Sequence, residues 1–390
     1  MLKLSGQINF IRKGLDSTRL LKVTFNKDYP TVLRRKAIFF SEESEIPEGF
    51  SAVFISKEKA VSKNIDDNQS IALLDKDFSY ISEGDIIRLE PKFNRMRVLF
   101  RSNSPNNFLL LTERCNHKCL MCSQPPKNID DSILMQEAME LVEMLPNDLQ
   151  SFGLTGGEPT LYGQQLVTLI EKFKNYLPHT ALDLLSNGRT FKSIDYANEF
   201  YKVNHPDLRI AIPLYSSNPS LHNYVVQAEN AFNETIEGIL NLKSFMQKVE
   251  IRVVLHKQTI PGLIDLAKYI SNNLRFVDHV ALMGLEITGY TRANLEDLWI
   301  DPWEYKDSLS EAVNILNDYN VPVSVYNHQL CLINKDVYKF NVQSISDWKN
   351  EYIKECSECI KKHECGGFFS SQVLYKRSQN IKPILNNYAN

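Results

Sequence analysis

The sequence has no run of apolar residues that approaches the ~18 needed for a membrane-spanning helix. Its longer apolar segments, such as Leu208 to Leu214, have the length of buried strands. The amino end, MLKLSGQINF, lacks the apolar stretch of ~7 to 15 residues that a secretory signal requires. These absences predict a protein that does not span a membrane and that works in the cytoplasm.

An excess of charge of either sign is also missing. The 390 residues include 44 Lys and Arg against 47 Asp and Glu, a net charge of −3. A balance so close to zero excludes a generally basic surface built for duplex nucleic acid. At roughly 100 to 200 residues per domain, the length predicts two or three domains with a core large enough to enclose a site.

Cysteine is scarce, and the seven cysteines fall into two groups separated by a long stretch without any. A reducing cytoplasm excludes a disulfide framework, so these residues are free, catalytic or metal-binding. Cysteines that act as small core residues would be scattered singly along the chain. The grouping therefore predicts metal sites.

The first group reads C-x3-C-x2-C and consists of Cys115, Cys119 and Cys122, directly after the apolar stretch Phe108 to Thr112. Structural zinc sites are closed by four ligands, whereas three thiolates leave one position open, as a reactive metal centre requires. His117 is the alternative fourth ligand for zinc. Its place between two closely spaced cysteines makes that geometry awkward.

A second motif, Gly156-Gly157-Glu158-Pro159, ends a predicted strand from Ser151 to Thr155. Paired glycines allow the backbone to approach a ligand closely, and a carboxylate can accept hydrogen bonds from a cationic amine. Alone, this motif indicates a strand-to-helix turn. Its position soon after the cysteine motif favours a binding site.

The two motifs in this order resemble the radical S-adenosylmethionine (SAM) superfamily. In that family three cysteines hold a [4Fe-4S] cluster, and the glycine-rich turn binds the amino group of SAM. One electron from the cluster then breaks a carbon–sulfur bond, and a 5′-deoxyadenosyl radical abstracts hydrogen from the substrate. The resemblance implies catalytic roles for Cys115, Cys119 and Cys122. It implies cofactor-binding roles for Gly156, Gly157, Glu158 and Pro159.

Strands and helices alternate after the cysteine motif. Such alternation predicts an α/β fold with parallel strands, outer helices and a site at the carboxyl ends of the strands. Six βα units match the partial (β/α)6 barrel of the radical SAM family. The later predicted strands are Ala181 to Leu185, Leu208 to Leu214, Val249 to Leu255 and His279 to Leu285. The predicted helices are Gly163 to Tyr176, Phe191 to Val203, Ala231 to Met246 and Pro261 to Asn273.

Polar residues at two strand ends are candidates for SAM contacts. Asn187 stands in Ser-Asn-Gly, which resembles the Thr-Asn-Gly of the family, although an Asn-Gly turn explains it equally. Ser216 stands where relatives have Ser-x-Asp, but Asn218 replaces the acid. Val226 replaces an arginine of the family, which leaves the ribose contacts open.

Arg252 is a candidate for the SAM carboxylate. It shares one face of its predicted strand with Val254 and His256 because side chains alternate along a strand. If this face points into the barrel, an arginine there needs an anionic partner. If it points outward, Arg252 and His256 are solvated.

The second cysteine group, C-x24-C-x2-C-x5-C, consists of Cys331, Cys356, Cys359 and Cys365. Four thiolates saturate one zinc ion or one [4Fe-4S] cluster, with His363 as an alternative ligand. The pattern resembles the SPASM and twitch domains, and four cysteines rather than seven favour the one-cluster twitch form. The resemblance implies an auxiliary [4Fe-4S] cluster that accepts an electron from a substrate radical. Structural zinc is the alternative.

Three regions are predicted: a small β-rich domain at 1–103, the radical SAM barrel at 104–320 and the cysteine-bearing, twitch-like extension at 321–390. The first region either captures a leader peptide by strand addition or only packs.

The whole arrangement, and especially the segment from Leu110 to Lys127, resembles the HxsC maturase family of the His-Xaa-Ser system. This resemblance implies modification of a ribosomally made peptide with His-Xaa-Ser repeats. It also implies a second radical SAM protein as partner and a reductant such as flavodoxin or ferredoxin. Two alternatives stay open: a radical SAM enzyme for a small molecule or nucleotide with a structural zinc tail, and a non-catalytic metal-bearing binding protein.

Overall fold

The computed structural model describes residues 3–41, 47–56, 69–344 and 350–385. Residues 386–390, which end the predicted C-terminal region, lie outside the described residues. The chain divides into two compact units. One contains Met1–Leu109 with Gln136–Leu149, and the other contains Leu110–Met135 with Gln150–Asn390. The predicted division into three regions stays a prediction.

The first unit is built on one eight-stranded sheet in the order β1-β8-β7-β3-β4-β5-β6-β2. Strands β3 to β6 are parallel neighbours, and the remaining pairs are antiparallel. The strands are β1 Ser5–Gln7, β2 Asn9–Arg12, β3 Arg19–Thr24, β4 Ala37–Ser41, β5 Ala52–Ser56, β6 Ser70–Leu74, β7 Ile86–Glu90 and β8 Arg95–Phe100. A short helix, α1, covers Thr31–Arg34.

This sheet rolls up on itself. Its edge strands β1 and β2 are separated in the chain by Ile8 alone. Consecutive Cα atoms lie about 3.8 Å apart, whereas eight flat strands would span roughly 34 Å at about 4.8 Å per strand. The sheet must therefore curve until its two edges approach, and Ile8 is buried in the core with Leu21, Phe54 and Met96. The predicted β-rich character of this region agrees with this sheet.

The second unit contains a sheet whose strands follow chain order from β9 to β16, with parallel pairing from β10 onward. The strands are β9 Phe108–Leu110, β10 Ser151–Thr155, β11 Ala181–Leu185, β12 Leu208–Pro213, β13 Lys248–Leu255, β14 His279–Gly284, β15 Val323–Tyr326 and β16 Asn341–Val342. The α/β class and the parallel sheet are confirmed. The first six strands lie where strands were predicted, as does β15, which was predicted at Val321 to Tyr326, and β16 extends the same sheet.

Helices separate these strands. They are α2 Ser132–Val142, α3 Gln164–Tyr176, α4 Ile194–Val203, α5 Pro219–Val226, α6 Ala231–Ser244, α7 Leu263–Asn273, α8 Tyr290–Ala293, α9 Leu295–Leu298, α10 Lys306–Asp318 and α11 Ser370–Leu374. The helix predicted from Phe191 is split: a 3-10 turn covers Arg189–Lys192, and Ser193 caps α4 by accepting from the amide of Tyr196. No helix in the described ranges is long and apolar enough to cross a membrane.

Candidate cofactor and metal centres

Cys115, Cys119 and Cys122 lie on one loop after β9, called the cysteine loop here (residues 113–124). Its backbone is fixed by hydrogen bonds to later segments: Leu120 N to Val225 O (2.9 Å), Lys118 N to Val226 O (3.1 Å) and Tyr290 N to Cys122 O (2.8 Å). Met121 and Cys119 pack against Tyr215 and Leu285, which follow β12 and β14. The loop therefore sits at the carboxyl ends of the strands.

The thiols of this loop are poorly solvated. Burial raises the pKa of Cys115 to about 11. Burial also raises the pKa of Cys119, and the charges that Cys122 and Cys115 would carry add to the effect. Three thiols that repel one another as thiolates form a donor set that a cationic iron centre would stabilise, and its binding would release their protons. The residues present thus fit a cluster held by three cysteines.

His117 does not complete a zinc site in this structure. Its backbone amide donates to the sulfur of Cys115 (3.3 Å). Its ring is buried, and burial lowers the pKa of His117 to about 3, with Arg189 and His222 among its charged and titratable neighbours. His117 therefore contacts Cys115 through its backbone amide.

Asp131 organises the start of the cysteine loop. Its carboxylate accepts from the hydroxyl of Thr112 (2.8 Å) and the amide of Glu113 (2.6 Å). It also accepts from Nε of Arg114 (3.1 Å) and the hydroxyl of Tyr162 (3.0 Å). Asp131 is buried, so these four donors hold one carboxylate at the point where β9 becomes the loop.

The glycine turn packs directly against the cysteine loop. The amide of Gly157 donates to Thr112 O (2.7 Å), and the amide of Glu158 donates to Arg114 O (2.8 Å). A Cβ atom on Gly157 would lie 2.2 Å from Arg114 O, and one on Gly156 would lie 2.6 Å from Thr112 O. The sequence predicted that these glycines let a ligand approach the backbone. In the structure, the absence of their Cβ atoms is already needed for close contact with the backbone of Thr112 and Arg114. Pro159 follows as the first residue of a 3-10 turn, Pro159–Tyr162.

Glu158 is fully buried, and its carboxylate is surrounded by donors. Oε1 accepts from the amide and hydroxyl of Thr160 (3.0 and 2.6 Å) and from the hydroxyl of Ser186 (2.8 Å). Oε2 accepts from the amide of Asn187 (2.6 Å). Burial raises the pKa of Glu158, although these hydrogen bonds oppose the shift. Its side chain joins the ends of β10 and β11, a role that the sequence analysis did not predict.

Asn187 reaches the cysteine loop. Its Nδ2 donates to Oδ1 of Asn116 (2.6 Å), and a contact with the side chain of Asn187 lowers the pKa of Cys115. Its Oδ1 accepts from the amide of Arg189, and Gly188 has a φ of +82°. Asn187 therefore forms the predicted Asn-Gly turn and also lies beside the first cysteine.

Ser216 follows β12 and is buried. Its hydroxyl accepts from the amide of Asn218 (3.0 Å), and Asn218 caps α5 by accepting from the amides of Ser220 and Leu221. Asn218, which replaces the family's acid, thus has a local capping role.

Arg252 lies on the face of the sheet that the cysteine loop covers, because its alternate neighbour Val254 packs against the cluster of Met121 and Cys119. It is paired there, since its Nε donates to Glu250 at 2.6 Å. This position supports the alternative in which the strand face that carries Arg252 points into the barrel.

Glu250 is the centre of a charged network inside the sheet. It contacts Arg252, Arg209 (3.2 Å) and His279 (2.9 Å), and Arg209 also forms a two-bond pair with Asp183. Burial raises the pKa of Glu250, but the hydrogen bond from His279 and the two arginines lower it to about 2. Four neighbouring strands are linked by these contacts.

The four tail cysteines line one cavity. They are Cys331, Cys356, Cys359 and Cys365. The sulfur of Cys365 accepts from the amide of Leu330 (3.4 Å), and that of Cys359 accepts from the amide of Ile384 (3.4 Å). Within the described ranges, no three His, Cys, Asp or Glu side chains are already arranged to hold a metal ion. His363 is exposed and does not line the cavity.

Burial also raises the pKa of Cys331 to about 11, and the other three tail cysteines add to the shift. Amide hydrogens aimed at cysteine sulfur are groups that stabilise and tune iron–sulfur clusters. The donor set, the cavity and the amide contacts fit a group held by four thiolates.

One family model matches part of the chain. Residues 109–270 match the family model described as the Radical SAM superfamily. A probable GTP 3′,8-cyclase of Sulfolobus acidocaldarius is 25% identical over 200 residues, covering 49% of this chain and 61% of that protein. The GTP 3′,8-cyclase of Aquifex aeolicus is 26% identical over 180 residues, covering 44% and 55%. The chain thus spans little more than half the length of these relatives.

Two solved structures are similar in part. SuiB of Streptococcus suis bound to S-adenosylmethionine has a TM-score of 0.47 at 15% identity, covering 59% of this chain and 52% of that one. Native anSMEcpe with bound AdoMet has a TM-score of 0.49 at 14% identity, covering 72% and 92%.

Proposed function

We propose that this chain, whose residues 109–270 match the Radical SAM superfamily model, uses a [4Fe-4S] cluster and SAM and is a maturase of a ribosomally made peptide. The observation that carries the proposal is the pairing of two cysteine sites in one unit. Cys115, Cys119 and Cys122 offer three thiolates on a loop at the strand ends, and four further cysteines share one cavity. Three thiolates suit a reactive centre, and four suit an electron-accepting one.

Each predicted site residue has a role in this proposal. The three cysteines of the loop would hold the SAM-binding cluster, which supplies the electron that cleaves the carbon–sulfur bond of SAM. Gly156 and Gly157 allow the turn to lie directly against Thr112 and Arg114, and Pro159 begins the 3-10 turn that follows. Asn187, Ser216 and Arg252 lie at or near neighbouring strand ends, where polar groups can orient SAM. Glu158 holds the turn and β11 together, and the proposed contact with the amino group of SAM requires its buried carboxylate to exchange one of its present donors for that group.

The tail cysteines would hold an auxiliary [4Fe-4S] cluster in a twitch-like extension. Their cavity is lined with apolar side chains such as Phe368 and Ile384, and such surroundings exclude water from a redox centre. Structural zinc, the alternative, would use the same four sulfurs.

The identity of the peptide is proposed from the resemblance to the HxsC family. This resemblance implies a peptide with His-Xaa-Ser repeats, a second radical SAM protein as partner and flavodoxin or ferredoxin as reductant. The eight-stranded sheet of the first unit is a candidate for leader-peptide binding.

A nucleotide substrate is the second candidate. The relatives that match this chain at 25% and 26% identity are named GTP 3′,8-cyclases, which favours a radical SAM enzyme that acts on a nucleotide. Their matched segments leave much of both proteins uncompared, so the relatives do not decide the substrate.

The test is iron and sulfide analysis of the anaerobically reconstituted full chain, followed by measurement of 5′-deoxyadenosine after reduction with SAM present. Two clusters predict roughly eight iron per chain. The variant with Cys115, Cys119 and Cys122 all replaced by Ala should lose about four iron and all SAM cleavage. Full 5′-deoxyadenosine formation by that variant would refute the proposal. Adding GTP or a His-Xaa-Ser peptide to the active enzyme distinguishes the two substrates by product mass.

A further inference from the structure

A small pocket opens where β13, β14 and β15 end. Leu255 and Gly284 close β13 and β14 at its base, and Asn327 follows β15. Trp299 and the segment after α11 form its walls. This pocket, called the rim pocket here, is lined by none of the seven cysteines.

The rim pocket adjoins both cysteine sites. Leu285 lines it and also belongs to the apolar cluster that contains Cys119 and Met121. Gln329 and Phe368 line it and also line the cavity of the four tail cysteines. A molecule bound here would therefore be close to residues of both cysteine sites.

The charged side chains that line the rim pocket are both cationic. They are Lys376 and Arg377, and no acidic residue is among the described residues that line it. Lys376 stacks on the ring of Trp299 at 4.5 Å and reaches Glu296 only at 3.6 Å. Glu296 is 88% exposed, so this ion pair is weak in solvent.

The guanidinium of Arg377 is positioned by one hydrogen bond seen among the described residues, which leaves N–H groups for a ligand. Nη1 donates to the carbonyl of Val373 at 3.1 Å, while a guanidinium carries five N–H groups. The next residue, Ser378, is buried and donates to the buried carboxylate of Asp301 at 2.9 Å, which anchors this stretch of chain. Asp301 accepts in addition from Asn380 and the amide of Trp303, so its charge is already satisfied.

We propose that the rim pocket binds an anionic group of the substrate, a carboxylate or a phosphate, on Lys376 and Arg377. The inference rests on the proposed function, because it assigns a substrate property to the same radical centre. A planar guanidinium beside an ammonium suits an oxyanion, and the indole of Trp299 provides an apolar wall for the group attached to it. A carboxylate would come from a peptide and a phosphate from a nucleotide.

Two pairs of probes separate these sources. GTP is compared with guanosine, and the peptide His-Gly-Ser with a free carboxylate is compared with its C-terminal amide. Binding to the iron-loaded full chain is measured by equilibrium dialysis. The expected result is that one anionic probe binds at least about tenfold more tightly than its neutral counterpart, in line with charge-assisted hydrogen bonds. Discrimination within the GTP pair indicates a phosphate, and discrimination within the peptide pair indicates a carboxylate.

The variant Lys376→Gln/Arg377→Gln should lose this discrimination, and Arg377→Lys, which keeps the charge, should retain most of it. Lys306→Gln is the matched control, because Lys306 also stacks on an indole, that of Trp303 at 3.3 Å, but does not line the rim pocket. Equal binding of charged and neutral probes, no saturable binding of either anion, or full discrimination in the double variant would overturn the inference. Iron content and 5′-deoxyadenosine formation in the same preparations report separately on the proposed function.

Discussion

Glu158 links two neighbouring strand ends through one side chain. Oε1 accepts from the hydroxyl of Ser186 and Oε2 accepts from the amide of Asn187, so both oxygens are tied to the end of β11. The glycine-turn motif identified this position from the sequence. Its partners could not be read from the sequence, because they lie 28 and 29 residues further along the chain and only the folded sheet brings them together.

The substitution Glu158→Gln tests this arrangement. An amide nitrogen would replace one oxygen and face a donor, so the variant should lose about 1 to 3 kcal/mol of unfolding free energy. Its affinity for SAM should fall roughly ten- to a hundredfold, because a charge-assisted hydrogen bond is lost. Thermal unfolding and equilibrium dialysis of SAM on cluster-loaded protein measure the two effects.

The matched control is Glu113→Gln, on the same loop as the cysteines but with a partly exposed side chain that pairs with Lys127 at 2.7 Å. This control should leave both measurements close to those of the parent. SAM affinity that is unchanged in Glu158→Gln, with the cluster intact, would remove Glu158 from the binding site.

His256 is buried as a neutral ring. Its Nδ1 accepts from the amide of Gln258, so Nε2 carries the proton, and Nε2 has no partner among the described residues. Burial lowers the pKa of His256 from 6.5 to about 3. The unfolded chain therefore binds a proton below pH 6.5 that the folded chain does not bind. Stability should fall as the pH drops through this range.

For one such histidine, the loss between pH 8 and pH 5 is about 2 kcal/mol. His256→Phe should reduce the pH-dependent fall in unfolding free energy by about this amount, because phenylalanine does not titrate. His179→Phe, at an exposed position, is the control and should leave the fall unchanged. An equal pH dependence of the thermal midpoint in His256→Phe and the parent would show that His256 is not kept neutral by the fold.

At the scale of elements, the strands were the most predictable part of the sheet. Short apolar stretches such as Ser151–Thr155 and Ala181–Leu185 are strands over the predicted residues, because they are buried between flanking turns. The strand β1, Ser5–Gln7, was not predicted, since Ser-Gly-Gln has no strand preference of its own and depends on pairing with β8. The links between elements, such as Asp131 with Thr112, also leave no local pattern in the sequence.

The contact between the glycine turn and the cysteine loop predicts the effect of one methyl group. In Gly157→Ala the new Cβ would lie 2.2 Å from a backbone oxygen, so the loop must move away from the turn. We expect reconstituted protein to lose about four iron per chain, as measured by iron analysis. The control is Gly262→Ala, where a Cβ would meet only the hydroxyl of Ser216 at 3.8 Å. Normal iron content in Gly157→Ala would show that the loop tolerates the displacement.

At the scale of the whole molecule, the cysteine groups were fully visible in the sequence, because ligand spacing is a local pattern. The rim pocket was not visible, since its lining comes from the ends of three strands and from the segment after α11. The rolled sheet of the first unit was only partly predicted. Its closure depends on β1 and β2 being almost adjacent in the chain while lying at opposite ends of the strand order.

Replacing a tail cysteine tests whether the tail holds an auxiliary cluster that takes part in peptide modification or a structural zinc ion. If Cys331, Cys356, Cys359 and Cys365 hold an auxiliary cluster, Cys359→Ala should lose about four iron per chain. It should still form 5′-deoxyadenosine, because the three cysteines of the loop are intact, and it should release no modified peptide. Structural zinc predicts instead that the loss of the metal removes folding energy, so the variant would be insoluble or locally unfolded.

The control for this variant is Ser357→Ala, which lies between two tail cysteines and carries no sulfur. It should keep the iron content, SAM cleavage and peptide modification of the parent. Iron content, 5′-deoxyadenosine and peptide mass are measured on the same soluble preparations. An iron count equal to that of the parent in a variant with all four tail cysteines replaced by Ala would exclude an auxiliary cluster, because none of the described cysteines that line this cavity would remain.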